Sequence, residues 1–75
     1  MATNYSACYR VSGSNSFTSE YFSDKQSAVN LACEMSKRTP GYMAYVHKNI
    51  GDWINGVFYE SKTTTVAVYI DGKQR

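Results

Sequence analysis

Tyr5, Ala7, Tyr9 and Val11 alternate with Ser6, Cys8, Arg10 and Ser12 near the start of the chain. A period of two is that of a half-buried strand. Ser12-Gly13-Ser14-Asn15-Ser16 follows, rich in residues that tolerate positive φ or bond back to the backbone, and it predicts a turn. Phe17 to Phe22 then returns as the second strand of a hairpin.

The period changes after Phe22. Ala28, Leu31, Ala32 and Met35 recur at helical spacing as one apolar stripe, while Lys25, Asn30, Glu34 and Lys37 lie away from it. Ser23, with Gln26 three positions later, reads as a capping box at the helix start, and Asp24 suits the positive end of the dipole. Lys37 and Arg38 suit the negative end. Pro40 and Gly41 stop the helix, because proline lacks the amide donor and disfavours helical geometry in Thr39 before it.

The remaining half reads as a β-meander. Its parts are a strand from Tyr42 to Lys48, an excursion from Asn49 to Ile54, a strand from Val57 to Ser61 and, after a turn near Lys62-Thr63, a strand from Thr64 to Ile70. Asn55-Gly56 between apolar pairs is a strong hairpin signal, since both central residues of a type I′ turn need positive φ. Asp71-Gly72 ends the ordered part, and Lys73-Gln74-Arg75 is expected to be a frayed tail.

The order β-β-α-β-β-β over residues 1–75 predicts a single α+β domain, an antiparallel sheet of four to five strands with one helix on one face. A lone helix cannot cover such a sheet, so the other face stays open. Side chains alternate across a strand. Tyr42, Ala44 and Val46 are expected to face the helix with Val66, Val68 and Ile70. Tyr45, His47, Phe58, Ala67 and Tyr69 are then expected on the open face.

Composition sharpens that picture. Seven tyrosines, one tryptophan and three phenylalanines stand against one histidine in 75 residues, so aromatic contact area outweighs reactive chemistry. An exposed aromatic face has three readings. It can be a protein-binding patch, because Tyr and Trp supply contact area at low entropic cost; a platform for stacking unpaired bases; or a set of cross-strand pairs that simply suit a pleated surface. Net charge disfavours nucleic acid: eight Lys and Arg against six Asp and Glu give +2, and the basic residues are scattered. Folding could still gather Arg10, Lys48 and Lys62. Trp53, between Gly51-Asp52 and Ile54-Asn55-Gly56, is either a lid on the core or a residue presented to a partner.

Catalytic chemistry is not evident. His47 has no adjacent acid, the carboxylates show no pairing, and no phosphate-loop or nucleophile motif occurs. Cys8, Cys33 and His47 lack the close CxxC spacing of zinc sites, so neither metal nor cofactor is expected. Two cysteines are too few for a disulfide scaffold and are read as reduced thiols. No apolar run approaches the roughly 20 residues that span a bilayer, and Met1-Ala2-Thr3-Asn4 carries no signal-peptide pattern. The expectation is a cytoplasmic protein with no membrane partner, in which the sequon Asn4-Tyr5-Ser6 goes unused.

The size, the Tyr-, Ser-, Asn- and Lys-rich composition and the hairpin, capped helix and meander order, seen in Tyr21-Phe22-Ser23-Asp24-Lys25-Gln26-Ser27-Ala28 followed by Tyr42-Met43-Ala44-Tyr45-Val46, resemble the small early proteins with which bacteriophages take over a host. That resemblance implies a non-enzymatic protein that occupies a functional surface of a larger host protein; it carries no binding residues with it. The expected contact residues come from the face instead: Trp53, Tyr45, Phe58, Tyr69 and His47, with Arg10, Lys48 and Lys62 nearby. A single-stranded nucleic-acid binder using the same face is the alternative. A homodimer formed through an edge strand such as Thr64 to Ile70 is a third.

Overall fold

A computed structural model describes residues 1–11 and 16–75. The turn expected at 12–16 falls largely outside the described residues. Among the described residues the elements are β1 (Ala2–Arg10), β2 (Phe17–Phe22), α1 (Lys25–Arg38), β3 (Ala44–Ile54), β4 (Val57–Ile70) and β5 (Lys73–Gln74). The strands form one antiparallel sheet in the order β2-β1-β3-β4-β5, with α1 packed across one face. The α+β architecture is therefore the one expected, with five strands.

The helix begins one residue later than the capping box implied. Asp24 is the N-cap, its φ of −121° and ψ of 150° still extended, and its carboxylate accepts from the Ser27 amide at 2.8 Å and from the Ser27 hydroxyl at 2.9 Å. Asp24 thus satisfies the third amide of the helix, that of Ser27, where a cap at Ser23 would have faced the amide of Gln26. Gln26 donates forward to Asn30 at 2.8 Å instead of closing a box. At the other end Thr39 is the C-cap. Thr39-Pro40-Gly41-Tyr42 forms a turn closed by the Tyr42 amide on the Thr39 carbonyl at 3.2 Å, with Gly41 at φ 86°. A positive φ at the third position is what a type II turn requires, and proline is common at its second.

The meander is simpler than its sequence suggests. The stretch Asn49 to Ile54 is not an excursion but the continuation of β3, and no turn occurs at Lys62-Thr63, because β4 runs unbroken for 14 residues. Two irregularities absorb what looked like breaks. The register shifts between Val46 and His47 and between Ile50 and Gly51, leaving Val66 and Ser61 as extra residues on β4. A flat strand of that length would span roughly 45 Å, yet the longest dimension of the molecule is 38 Å; bulges and twist bend the hairpin. Asn55 and Gly56, at φ 52° and 78°, make the expected turn. Asp71 and Gly72, at 51° and 80°, make a second one, so the anticipated frayed tail is partly a strand whose Lys73 and Gln74 pair with Ile70 and Tyr69.

The core between helix and sheet is built from small side chains. Ala28, Ala32 and Ser36 on α1 meet Ala7 and Tyr9 of β1, Ala44 and Val46 of β3, and Ala67 and Tyr69 of β4. Leu31 and Met35, expected in the apolar stripe with Ala28 and Ala32, are half-buried beside Val29 and Cys33. Ser36 is buried because its hydroxyl donates to the Cys33 carbonyl at 2.8 Å and accepts from the Gly72 amide at 2.8 Å, tying the last hairpin to the helix.

β4 has the opposite parity to the one expected. Ala67 and Tyr69 sit opposite Val46 and Ala44 and face the helix, whereas Val68 sits opposite Tyr45 on the open face. Tyr69 is only 8% exposed, so its expected place on the open face is corrected. The run of β-branched residues misleads here: the bulge at Val66 lets that residue pack against the core out of step with Val68. On β3, Ala44 and Val46 face inward as expected, but Tyr42 precedes the strand and is exposed, with the Arg10 guanidinium 4.4 Å from its ring centre. Cys8 pairs in register with Tyr45 on the open face, while Cys33 packs on the helix side and donates to the Gly72 carbonyl at 3.3 Å. The sheet separates the two thiols.

Candidate functional site

The type I′ turn at Asn55-Gly56 places Trp53 directly across from Phe58, and the rings meet edge to face with centroids 5.3 Å apart and planes at 67°. Such a pair gains beyond its buried area because the positive edge of one ring meets the negative face of the other. Trp53 remains 62% exposed, so it is not a lid on the core. Tyr21, 60% exposed, approaches from β2, where its pairing with Ser6 puts it on the same open face. Asn4, Tyr21, Trp53, Gly56, Val57, Phe58 and Glu60 line a cavity of about 460 Å³. A second recess of about 270 Å³ shares Asn4, Tyr21 and Trp53 and extends to Thr3, Phe22 and Ser23.

A polar network lies beside the cavity. Asn49 is 1% exposed although no second layer among the described residues covers this face. Its amide nitrogen donates to Asn4 Oδ1 at 2.9 Å and Ser6 Oγ at 3.3 Å. The Thr63 hydroxyl stands 3.0 Å from both Asn49 Oδ1 and Glu60 Oε2. One hydroxyl carries one proton, so Thr63 serves these two acceptors by sharing or alternating. The chain Asn4, Asn49, Thr63, Glu60 holds β1, β3 and β4 in register where their side chains are polar. It also fixes two cavity-lining residues, Asn4 and Glu60. Every buried side-chain polar atom among the described residues has a partner, as expected for a network that orders its surroundings.

Gly51 lies between these features. A Cβ there would collide with the Tyr59 carbonyl oxygen, so the strands approach at this point more closely than any side chain allows. The approach coincides with the register shift that returns Trp53 and Phe58 to a direct pair.

Tyr45 and His47 form a second cluster on the same face. Their rings are stacked, with centroids 6.2 Å apart and planes at 11°, and Thr65 Oγ1 is 3.2 Å from His47 Nδ1. Eight residues separate Tyr45 from Trp53 along β3, roughly 26 Å in an extended strand. The expected contact residues therefore divide into two groups. Lys48 and Lys62 do not join either: Lys48 is opposite Tyr5 and Thr64, Lys62 is opposite Ile50, and this parity is that of the helix-covered face. Arg10 is at the far end of β1, over Tyr42. The basic cluster of Arg10, Lys48 and Lys62 does not form, and Tyr69 borders a different recess, beside Lys25, Gln26 and Val29 on the helix side.

Tyr21, Asn4 and Asn49 are the residues of this site that sequence reasoning missed. Tyr21 reaches Trp53 only through the strand order, in which β1 separates β2 from β3, and nothing local encodes that order. Asn49 in a run of alternating residues looked like a turn former. A signal was nevertheless present in parity: Tyr45, His47 and Asn49 share one face of a strand that runs on to Trp53.

No protein-family model, curated protein or solved structure matches the chain.

Proposed function

We propose that this is a non-enzymatic binding protein that attaches to a larger protein through the cavity formed by Trp53, Phe58 and Tyr21, and acts by occupying a functional surface of that protein. The observation that carries this reading is an exposed tryptophan already ordered by an edge-to-face partner beside a hollow lined by three aromatic rings. A rigid aromatic beside a recess is the anatomy of an interface hot spot, because little side-chain entropy remains to be lost on binding. The polar residues at its margin, Asn4 and Glu60, offer a donor and acceptors that fix orientation.

Charge placement favours a protein over a nucleic acid. Glu60 lines the cavity, and Lys48 and Lys62 lie on the other face, so the aromatic rings are not flanked by the cations that phosphates need. The resemblance to small early bacteriophage proteins adds the form of the activity, in which a cytoplasmic host factor is inhibited or redirected without catalysis.

Affinity capture from bacterial lysate, with and without nuclease, tests the reading. A stoichiometric partner retained after nuclease and lost with Trp53→Ala supports it. Retention that disappears with nuclease, or that weakens steeply with salt, moves the function to single-stranded nucleic acid.

A further inference from the structure

The two outer edges of the sheet are treated differently. β4 carries bulges at Ser61 and Val66, a lysine at Lys62, and β5 across Tyr69 and Ile70. Bulges, lysines and short covering strands are how natural sheets keep an edge from pairing with another chain. The edge expected to pair, Thr64 to Ile70, is thus guarded along its length and covered at its end. β2 has none of these devices. Its six residues, Phe17-Thr18-Ser19-Glu20-Tyr21-Phe22, keep an unshifted register with β1 from end to end, contain no proline, lysine or arginine, and have no neighbour on their outer side among the described residues.

The side chains of β2 are also self-complementary. Phe17, Ser19 and Tyr21 pair with Arg10, Cys8 and Ser6 and so share the open face; Thr18 and Glu20 share the other, where Glu20 accepts from the Tyr9 hydroxyl at 3.0 Å. In an antiparallel pair, opposed residues must lie on the same face. Placing a two-fold axis through Ser19 meets that condition. It sets Phe17 opposite Tyr21 of the second copy, twice, and Thr18 opposite Glu20, twice. Moving the axis to Glu20 would oppose two carboxylates, which disfavours that register.

We propose that β2 is a homodimerisation edge, at which two copies of the chain pair antiparallel about Ser19 and join their sheets into one of ten strands. Phe17, 54% exposed, and Tyr21 are left uncovered in the single chain. Each then gains an aromatic cross-strand partner, of the kind that adds to sheet stability. The interface is isologous and closed, so association stops at two. A six-residue edge buries less than a standard interface, and the dimer is accordingly weak and concentration-dependent. Both open faces end on the same side of the joined sheet, each with its own Trp53 cavity.

Sedimentation equilibrium across a wide concentration range tests the proposal on the full chain. The expected result is a reversible shift from 8.4 kDa towards twice that mass. Phe17→Lys and Tyr21→Glu, each alone, should weaken the dimer at least tenfold, and the two together in one chain should restore it. Within one copy the two positions are four residues apart along an extended strand, about 13 Å, so the restored attraction acts between copies. A chain that stays monomeric at the highest attainable concentration overturns the proposal. So does a dimer that persists in both single variants, or one that the double variant fails to rescue while circular dichroism shows its fold intact.

Discussion

The two faces of this sheet use their residues in opposite ways. The helix-covered face is made mostly of alanine and small polar side chains, Ala7, Ala44 and Ala67 against Ala28, Ala32 and Ser36, with Val46 the largest fully buried apolar residue. The open face carries Tyr21, Tyr45, His47, Trp53 and Phe58. Folding a chain this small by hydrophobic burial alone would call for the opposite distribution, because large side chains bury more area per residue. Small residues let the helix approach the sheet closely, so the core is thin and tight and has little tolerance. Apart from Tyr9 and Tyr69, which close the core, the large aromatic rings of Tyr21, Tyr45, Trp53 and Phe58 are left free of that duty. The difference teaches that stability and recognition are assigned to separate faces, and substitutions should separate them as well.

Tyr69 and Trp53 are the most direct test of that separation, since sequence alone gave them the same role. Tyr69→Ala is expected to destabilise the fold most, by roughly 3–5 kcal/mol as for other buried aromatics. Much of a small domain's total stability is of that order, so loss of the cooperative thermal transition is the expected readout. Retention of a normal melting transition would mean that Tyr69 is not part of the core. Ala32→Leu should follow, costing about 1–3 kcal/mol, because a fully buried alanine facing the sheet has no room for added methylenes. A chemical-denaturation midpoint that did not move would break the picture of a tight core.

Much of this contrast was legible in the sequence. The hairpin, the helix and the Asn55-Gly56 turn could be read from period and turn chemistry, because each is set by residues close together in the chain. The open-face placement of Tyr45, His47 and Phe58 followed from alternation. β4 was not legible. Its two bulges shift parity without any local mark, and its threonine run resembles a turn although Thr63 is needed for a side-chain network; on β3, Gly51 likewise resembles a break although it is needed for close strand approach. Tyr69 inherits that error, and Lys62, read as part of a turn, lies within β4 on the helix-covered parity; Lys48, on β3, shares the parity of Ala44 and Val46. The capping residue was misplaced for a similar reason, since Ser23 and Asp24 are both good caps and only the strand exit of β2 decides between them.

Asn49 links the faces, being buried as a core residue is and located where the open face begins. Asn49→Ala should cost about 1–3 kcal/mol, as the Asn4, Ser6 and Thr63 side chains lose a buried partner. Urea unfolding checks the magnitude. Loss of partner binding with unchanged stability would instead give Asn49 a purely recognition role. Asp24→Ala, at an exposed cap, should lower the thermal midpoint only slightly. The cap is a carboxylate, so it should also weaken with acid: the two bonds from Ser27 hold the Asp24 carboxyl below its ordinary value. A lowered value stabilises the fold above the unfolded pKa, and that contribution disappears as pH falls through the folded one. Tyr9 titrates the other way. Burial first, then the Glu20 hydrogen bond and charge, raise its hydroxyl above the ordinary 10.0. Its stabilisation is complete below the unfolded value and declines as pH rises through the folded one. Stability measured from pH 9 upward should therefore fall in the parent more than in Tyr9→Phe, and parallel curves would refute the assignment.

Trp53→Ala should change stability least and binding most. The side chain is largely in water, and its packing within the described structure is the Phe58 edge contact, so the fold should lose no more than about 1–1.5 kcal/mol with that pair. A hot-spot tryptophan, by contrast, is worth 2 kcal/mol or more to a complex, about thirtyfold in affinity. Phe58→Leu separates the two ways such a loss could arise. It keeps apolar bulk on the open face but removes the ring that orients Trp53. Weaker binding in Phe58→Leu with the melting transition kept would show that the orientation of the tryptophan matters, as a preordered contact requires. Unchanged binding would mean that Trp53 acts as bulk alone, and the edge-to-face geometry would then belong to the hairpin and not to recognition.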